Sequence, residues 1–114
     1  MLSQTLDFTT QFNTNGFVNI DLSGWDYAVV GVTTPAAVVF FNDTNDANAK
    51  TGVSDGNAYT AINWQPVSLT NIATGTGVVT SAGTGNFKLN VGAKFLQITG
   101  TTAGKIIVQL SQIQ

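Results

Sequence analysis

Several residue types that usually carry chemistry are missing from this chain. Its 114 residues include no cysteine, no histidine, no arginine and no glutamate. Without cysteine, neither a disulfide framework nor a thiolate metal site can form. Without histidine, the commonest general base is absent and no serine has its usual activator. We therefore expect no catalytic residue, no metal site and no cofactor, and we expect that the protein is not an enzyme.

Paired aspartates are the remaining candidates for acid–base chemistry, since two carboxylates can hydrolyse a glycosidic bond. Asp21 and Asp26 flank a Ser-Gly break, and Asp43 and Asp46 share a polar stretch. Neither pair has an apolar setting that would raise the pKa of one member. The sequence thus gives no support to a glycosidase.

The polar stretch at residues 42–57 also raises the question of calcium, because it contains Asp43, Asn45 and Asp46. An EF-hand loop needs oxygen ligands at alternate positions and a closing glutamate. Here Ala47 occupies the third ligand position and the chain has no glutamate. Turn and loop chemistry accounts for these residues without an ion.

Charge is scarce: 9% of residues are charged and the net charge is −2, against about 25% charged residues in an average soluble domain. Four scattered lysines do not form the basic patch that nucleic acid binding requires. A surface so poor in charge is covered either by hydroxyls and amides or by partner subunits. Both interpretations remain open at this point.

Long apolar runs are also missing. The longest contain about five residues, far fewer than the roughly 20 needed to cross a bilayer. Residues 1–4 have neither the basic nor the apolar region of a signal peptide. We expect a complete small protein that is made in a cytoplasm and does not bind membranes.

Threonine, asparagine, glycine, valine and alanine fill the chain, and short alternating patterns run through it. Val18, Ile20 and Leu22 alternate with polar residues, as in a strand with one buried face. About eight such stretches occur, with turn signals every eight to twelve residues. The pattern predicts an all-β fold, a single-domain antiparallel β-sandwich of jelly-roll-like type. We assign residues 17–114 to this sandwich and residues 1–16 to a first strand or an N-terminal arm.

Residues 93–112 are the stretch around which we expect the sheets to be organised. Two apolar runs, residues 95–99 and 106–110, are separated by a glycine-bounded turn of hairpin length. We predict that they pair as a hairpin and close a sheet. A second hairpin-type loop is predicted at residues 81–85, and Pro66 indicates an edge strand.

Two sets of residues are candidates for contact with other molecules. Residues 25–32 are apolar on both faces, which indicates either a central strand or a strand against another subunit. An N-terminal arm could dock on a neighbour, so the candidate interface residues are Leu2, Leu6, Phe8, Phe12, Trp25 and Tyr27. Aromatic rings also stack on sugars, and Tyr59 and Trp64 are the candidate glycan contacts. For Trp64, a place in the core is the favoured interpretation.

Three stretches resemble small β-sandwich modules of tailed-bacteriophage virion proteins, found in head-decoration, head-fibre and tail-associated proteins. They are LSGWDYAVVGV at residues 22–32, FFNDTND at 40–46 followed by Asp-Gly at 55–56 and Asn-Trp at 63–64, and KFLQITG with GKIIVQL at 94–100 and 104–110. The resemblance covers roughly residues 17–112. Gln97 stands where many relatives carry arginine, and the Asn/Asp-rich loop is longer.

The resemblance implies a structural role in a virion, as a capsid-associated decoration or head-fibre-base protein. The implied partners are copies of the chain itself, with three copies as in many relatives, and the major capsid protein or other virion proteins. It carries over no catalytic or binding residue. Two alternatives remain open: a host- or glycan-binding β-sandwich, and a generic interaction domain from a cellular operon.

Overall fold

The chain forms β-strands throughout the part that the structure describes. A computed structural model describes residues 2–7, 17–34, 38–46, 49, 52–53, 64–82, 84–100 and 105–113. Within these ranges no helix is long and apolar enough to cross a membrane. The strands are β1 (Ser3–Asp7), β2 (Phe17–Asp21), β3 (Tyr27–Thr34), β4 (Val38–Thr44), β5 (Gly52–Val53), β6 (Gln65–Pro66), β7 (Leu69–Asn71), β8 (Gly77–Val78), β9 (Thr80–Ala82), β10 (Gly85–Asn90), β11 (Phe95–Gly100) and β12 (Lys105–Ser111).

These strands form two antiparallel sheets. Sheet A has the order β1-β12-β3-β10-β7-β8, and sheet B has the order β5-β2-β11-β4-β6, with β9 also paired to β4. Sheet A contains the strand order β1-β12-β3-β10, and sheet B contains the matching order β2-β11-β4-β9. In each matching pair the two strands follow one another in the chain, so the chain passes repeatedly from one sheet to the other. This arrangement is that of a jelly roll, and it confirms the predicted all-β sandwich.

The core lies between the two sheets and follows the predicted alternation. Val18, Ile20 and Leu22 are buried, as are the inward-facing residues of β3 and β12. The largest rings in the core come from different sheets: Phe41 on β4 and Phe87 on β10, with ring centroids 5.5 Å apart. Burial of one apolar face from each sheet is the main stabilising contribution in such a sandwich.

The predicted hairpin at residues 93–112 is wrong. β11 lies in sheet B between β2 and β4, whereas β12 lies in sheet A between β1 and β3. The two strands therefore face each other across the core instead of pairing. The apolar face of β12 is buried, as its alternation predicted, but that property is the same for a hairpin and for two strands in facing sheets.

Other sequence predictions are corrected in the same way. The loop at residues 81–85 joins no hairpin, because β9 is in sheet B and β10 is in sheet A. Residues 42–44, predicted as loop, extend β4 and pair with β11 and β6. Pro66 does lie on an edge strand, as predicted. The described residues form twelve strands, more than the expected eight, because several strands are only two or three residues long.

Candidate interaction surfaces

The N-terminal strand β1 forms one edge of sheet A. In the described part of the chain it pairs with β12 alone, over Ser3 to Asp7. Leu6 is partly buried and packs against the protein's own core. Leu2 is 58% exposed and extends the same edge. Phe8 and Phe12, the other two residues of the predicted arm, lie outside the described residues.

The backbone of β1 presents alternate residues to the two sides of the strand. The Gln112 N–H donates to the Leu2 carbonyl at 2.9 Å, and the register places these two residues opposite each other. In an antiparallel pair, residues that exchange hydrogen bonds alternate with residues that do not. The backbone groups of Leu2, Gln4 and Leu6 therefore face β12. Those of Ser3 and Thr5 point away from β12, towards the outer edge of the sheet.

The outer face of sheet A carries a shallow groove over its central strands β12, β3 and β10. It has a volume of about 210 Å³ and is lined by Val29, Gly31, Asn86, Ile107 and Gln109. Gly31 forms its floor: a Cβ atom there would lie 3.1 Å from Asn86 Oδ1. The groove thus depends on a glycine in the middle of the central strand.

The two aromatic residues predicted as interface contacts are engaged within the molecule. Trp25 is half-buried and packs against the core. Lys88 Nζ lies 4.7 Å from the centre of the Tyr27 ring, which is a cation–π contact on the outer face of sheet A. Both aromatic side chains therefore make contacts within the molecule.

A polar pocket lies at one end of sheet B, around the Asn/Asp-rich stretch. It has a volume of about 410 Å³ and is lined by Asp43, Thr44, Asn45, Asp46, Gln65 and Ala93. The Lys94 N–H donates to Asn45 Oδ1 at 2.9 Å, and the Asp46 N–H donates to Thr44 Oγ1 at 3.1 Å. Within the described residues no group of three or more acidic side chains could hold a metal ion.

Burial raises the pKa of the Asp43 carboxyl above its ordinary value. This corrects the expectation that neither aspartate pair would have such a setting. The folded protein therefore holds the Asp43 proton more tightly than the unfolded chain does. The contribution of Asp43 to stability is fully present below the unfolded pKa and is lost as the pH rises through the folded pKa.

We expect the Asp43→Asn variant to be more stable than the wild type at neutral pH, because an amide avoids the desolvation of a charged carboxylate. Its free energy of unfolding should also depend less on pH in the acidic range than that of the wild type. Urea unfolding at a series of pH values measures both effects. A variant whose pH dependence matches that of the wild type would show that Asp43 has the same pKa in both states.

Trp64 does not belong to the core cluster, which corrects the favoured interpretation of the sequence. It is half-buried and immediately precedes β6, at the edge of sheet B. Its indole Nε1 is buried without a hydrogen-bond partner in the structure. Tyr59, the other predicted glycan contact, lies outside the described residues.

Asn19 is a buried polar residue that the sequence pattern does not reveal. Because Val18 and Ile20 face the core, Asn19 faces the outer side of sheet B, yet only 2% of it is exposed. Across the strands it lies opposite Gln97, which is itself opposite Asn42. Neither amide atom of Asn19 has a hydrogen-bond partner in the structure. Alternation alone identified Asn19 as a solvent-facing residue, and no sequence signal indicates its burial.

Comparison with known proteins yields a likeness of fold. No protein-family model matches the chain, and no curated protein sequence matches it. Among solved structures, the chain is similar to the crystal structure of the SPBc2 prophage-derived protein YomS, with a TM-score of 0.65 and 8% sequence identity. The likeness covers 96% of this chain and 95% of the other. At this level of identity it shows that the two chains share a fold.

Proposed function

We propose that this chain is a structural protein of a bacteriophage particle that acts through contacts between subunits and not through catalysis. The proposal assigns it to the capsid, as a decoration or head-fibre-base protein. Its partners would be other copies of the chain and the major capsid protein. It would be made in the host cytoplasm and reside in the virion.

The observation that carries this proposal is the likeness of fold to a prophage-derived protein over almost the whole of both chains. Jelly-roll sandwiches are common in viral capsid proteins. The jelly-roll strand order of this chain therefore agrees with the proposal. The scarcity of charge, 9% of residues, agrees with a surface that is partly covered in an assembly. The motifs at residues 22–32 and 94–110 support the same assignment.

Purified phage particles test the proposal. Particles released by the producing cells would be separated into heads and tails and probed with an antibody raised against this chain. We expect the chain in the head fraction, in a fixed ratio to the major capsid protein. A chain found on tails would overturn the capsid assignment, and a chain missing from particles would overturn the whole proposal. An unrelated protein of similar size, mixed with the particles before separation, provides the control for adventitious binding.

A glycan-binding role is the second candidate, and the polar pocket favours it. Amide and hydroxyl groups of Thr44, Asn45 and Gln65 line an open cavity of about 410 Å³, which is the size of many small-ligand sites. Such groups can hydrogen-bond sugar hydroxyls. The half-buried Trp64 adjoins Gln65 in sequence, so its fluorescence is a suitable reporter for the site.

A glycan array followed by titration of any hit tests this role. Because Gln65 is exposed at the pocket, Gln65→Ala should weaken sugar binding about tenfold or more if the pocket is the site. Gln109→Ala, on the outer face of sheet A, is the matched control and should leave binding unchanged. An array without hits would remove the glycan-binding role.

A further inference from the structure

We propose that β1 pairs with β1 of a second copy, so that two sandwiches join edge to edge through a continuous sheet A. The inference rests on the proposed function in one respect: both assume that the protein acts through contacts between subunits. It names the surface and the partner, a second copy of this chain. Mass measurement in solution tests it without any phage particle.

The choice of β1 follows from a comparison of the described edge strands. Natural proteins protect sheet edges with very short strands, proline, lysine or bulges. The other edges have such protection, because β5, β6 and β8 contain two residues each, β6 includes Pro66, and β9 contains three residues. β1 has five residues in regular pairing with β12 and contains no proline, lysine or glycine.

Backbone geometry limits how two copies of β1 can pair. The hydrogen-bonding groups of Ser3 and Thr5 point towards the outer edge, so these residues must exchange the bonds between copies. Antiparallel pairing about a two-fold axis at Gln4 places Ser3 opposite the partner's Thr5, and each pair can exchange two hydrogen bonds. This contact is isologous and closes with two copies.

Side chains favour this register. It places Leu2, which is 58% exposed, opposite the partner's Leu6, which packs on its own core. The pair would be of the non-hydrogen-bonded kind, in which side chains approach more closely. The register would cover Leu2 with an apolar contact on each side of the Gln4 pair at the axis. The hydrophobic pattern therefore selects this register in the same way as it does within a sheet.

The expected affinity is modest. An edge contact of five residues per copy is smaller than the about 1,200 Å² of standard interfaces, so we expect a dissociation constant on the order of 10 µM. Light scattering after gel filtration should then give a mass that rises from 11.9 kDa towards twice that value as the loading concentration increases. A constant monomer mass would overturn the inference, and so would a stable trimer.

Two substitutions at the axis test the register. Gln4→Lys and Gln4→Glu each place like charges opposite each other, and each should weaken self-association about tenfold or more. An equimolar mixture of the two variants should restore the dimer. Gln4 is exposed, so thermal melts of both variants should match the wild type. Failure of the mixture to restore the dimer would overturn the register.

A third variant tests the backbone contact. Thr5→Pro removes the N–H that points to the outer edge and leaves the bonds to β12 in place, so it should abolish the dimer. Thr5→Ala keeps that N–H and serves as the control, which should dimerise like the wild type. Equal masses for the two variants would contradict pairing through β1. None of these outcomes alters whether the chain is found in phage heads, so the two proposals can fail separately.

Discussion

The Phe87→Ala variant is expected to lose about 3–5 kcal/mol of unfolding free energy, the typical cost of truncating a fully buried phenylalanine. Phe87 is 1% exposed and its ring, on sheet A, packs against Phe41 on sheet B with centroids 5.5 Å apart. Truncation would open a cavity between the two sheets at this contact. Because domains are stable by about 5–15 kcal/mol in total, the variant should lose a large share of its stability.

Urea unfolding followed by circular dichroism measures this loss. Phe40→Ala is the matched control: Phe40 precedes Phe41 on β4, faces outwards and is 41% exposed, so its truncation should cost less than about 1 kcal/mol. With Phe41→Ala and the double variant, a mutant cycle should give a coupling of about 0.5–1.5 kcal/mol between the rings. Equal losses at Phe40 and Phe87 would contradict the assignment of Phe87 to the inter-sheet core.

The Asn19→Val variant is expected to gain about 1–3 kcal/mol of unfolding free energy, which is the cost of burying an amide without hydrogen bonds. Asn19 is 2% exposed, and both of its amide atoms lack partners in the structure. Valine has no polar group to bury, is of comparable size and favours β-strands. The gain should appear as a higher urea midpoint with an unchanged slope.

Asn90→Val is the control for strand propensity. Asn90 lies on β10 with its side chain exposed, so this variant makes the same chemical change without relieving a buried amide. We expect it to alter stability by no more than about 0.5 kcal/mol. If Asn19→Val destabilised the protein while Asn90→Val did not, the Asn19 amide would have to be hydrogen-bonded in the folded state.

The sequence predicted which face of β2 and of β12 is buried. Val18 with Ile20 on β2, and Val108 with Leu110 on β12, face the core as their alternation indicated. This works because side chains on a strand alternate strictly between two faces, so apolar residues at every second position specify the inner one. No stretch of the sequence shows the period of 3.6 residues that is typical of a helix, so the fold classes that contain helices were excluded.

The partners of the strands could not be predicted. The number of residues between β11 and β12 suits a hairpin. Because the facing sheets of a sandwich lie only about 10 Å apart, a segment of that length can also connect strands of different sheets. Residues 42–44 show that polar residues can also hide a strand from sequence-based prediction. They are polar, yet they continue β4 because the ladder bonds to β11 involve the backbone and do not require apolar side chains.

The candidate sites depended even more on three-dimensional context. The burial of Asn19, the position of Trp64 outside the core and the raised pKa of Asp43 depend on how the strands are arranged in space. Alternation assigns each residue to a face but does not reveal what covers that face. The exposed edge of β1 was likewise hidden, because the sequence left residues 1–16 as either a strand or an arm.

The positions of β11 and β12 have a consequence for how the protein folds. These two strands come last in order, yet each occupies the interior of its sheet: β12 separates β1 from β3, and β11 separates β2 from β4. A nascent chain that ends before residue 105 cannot connect β1 to the rest of sheet A. Closing such distant pairings is slow, on the scale of milliseconds to seconds. The sandwich should therefore form in one late cooperative step, after both strands have left the ribosome.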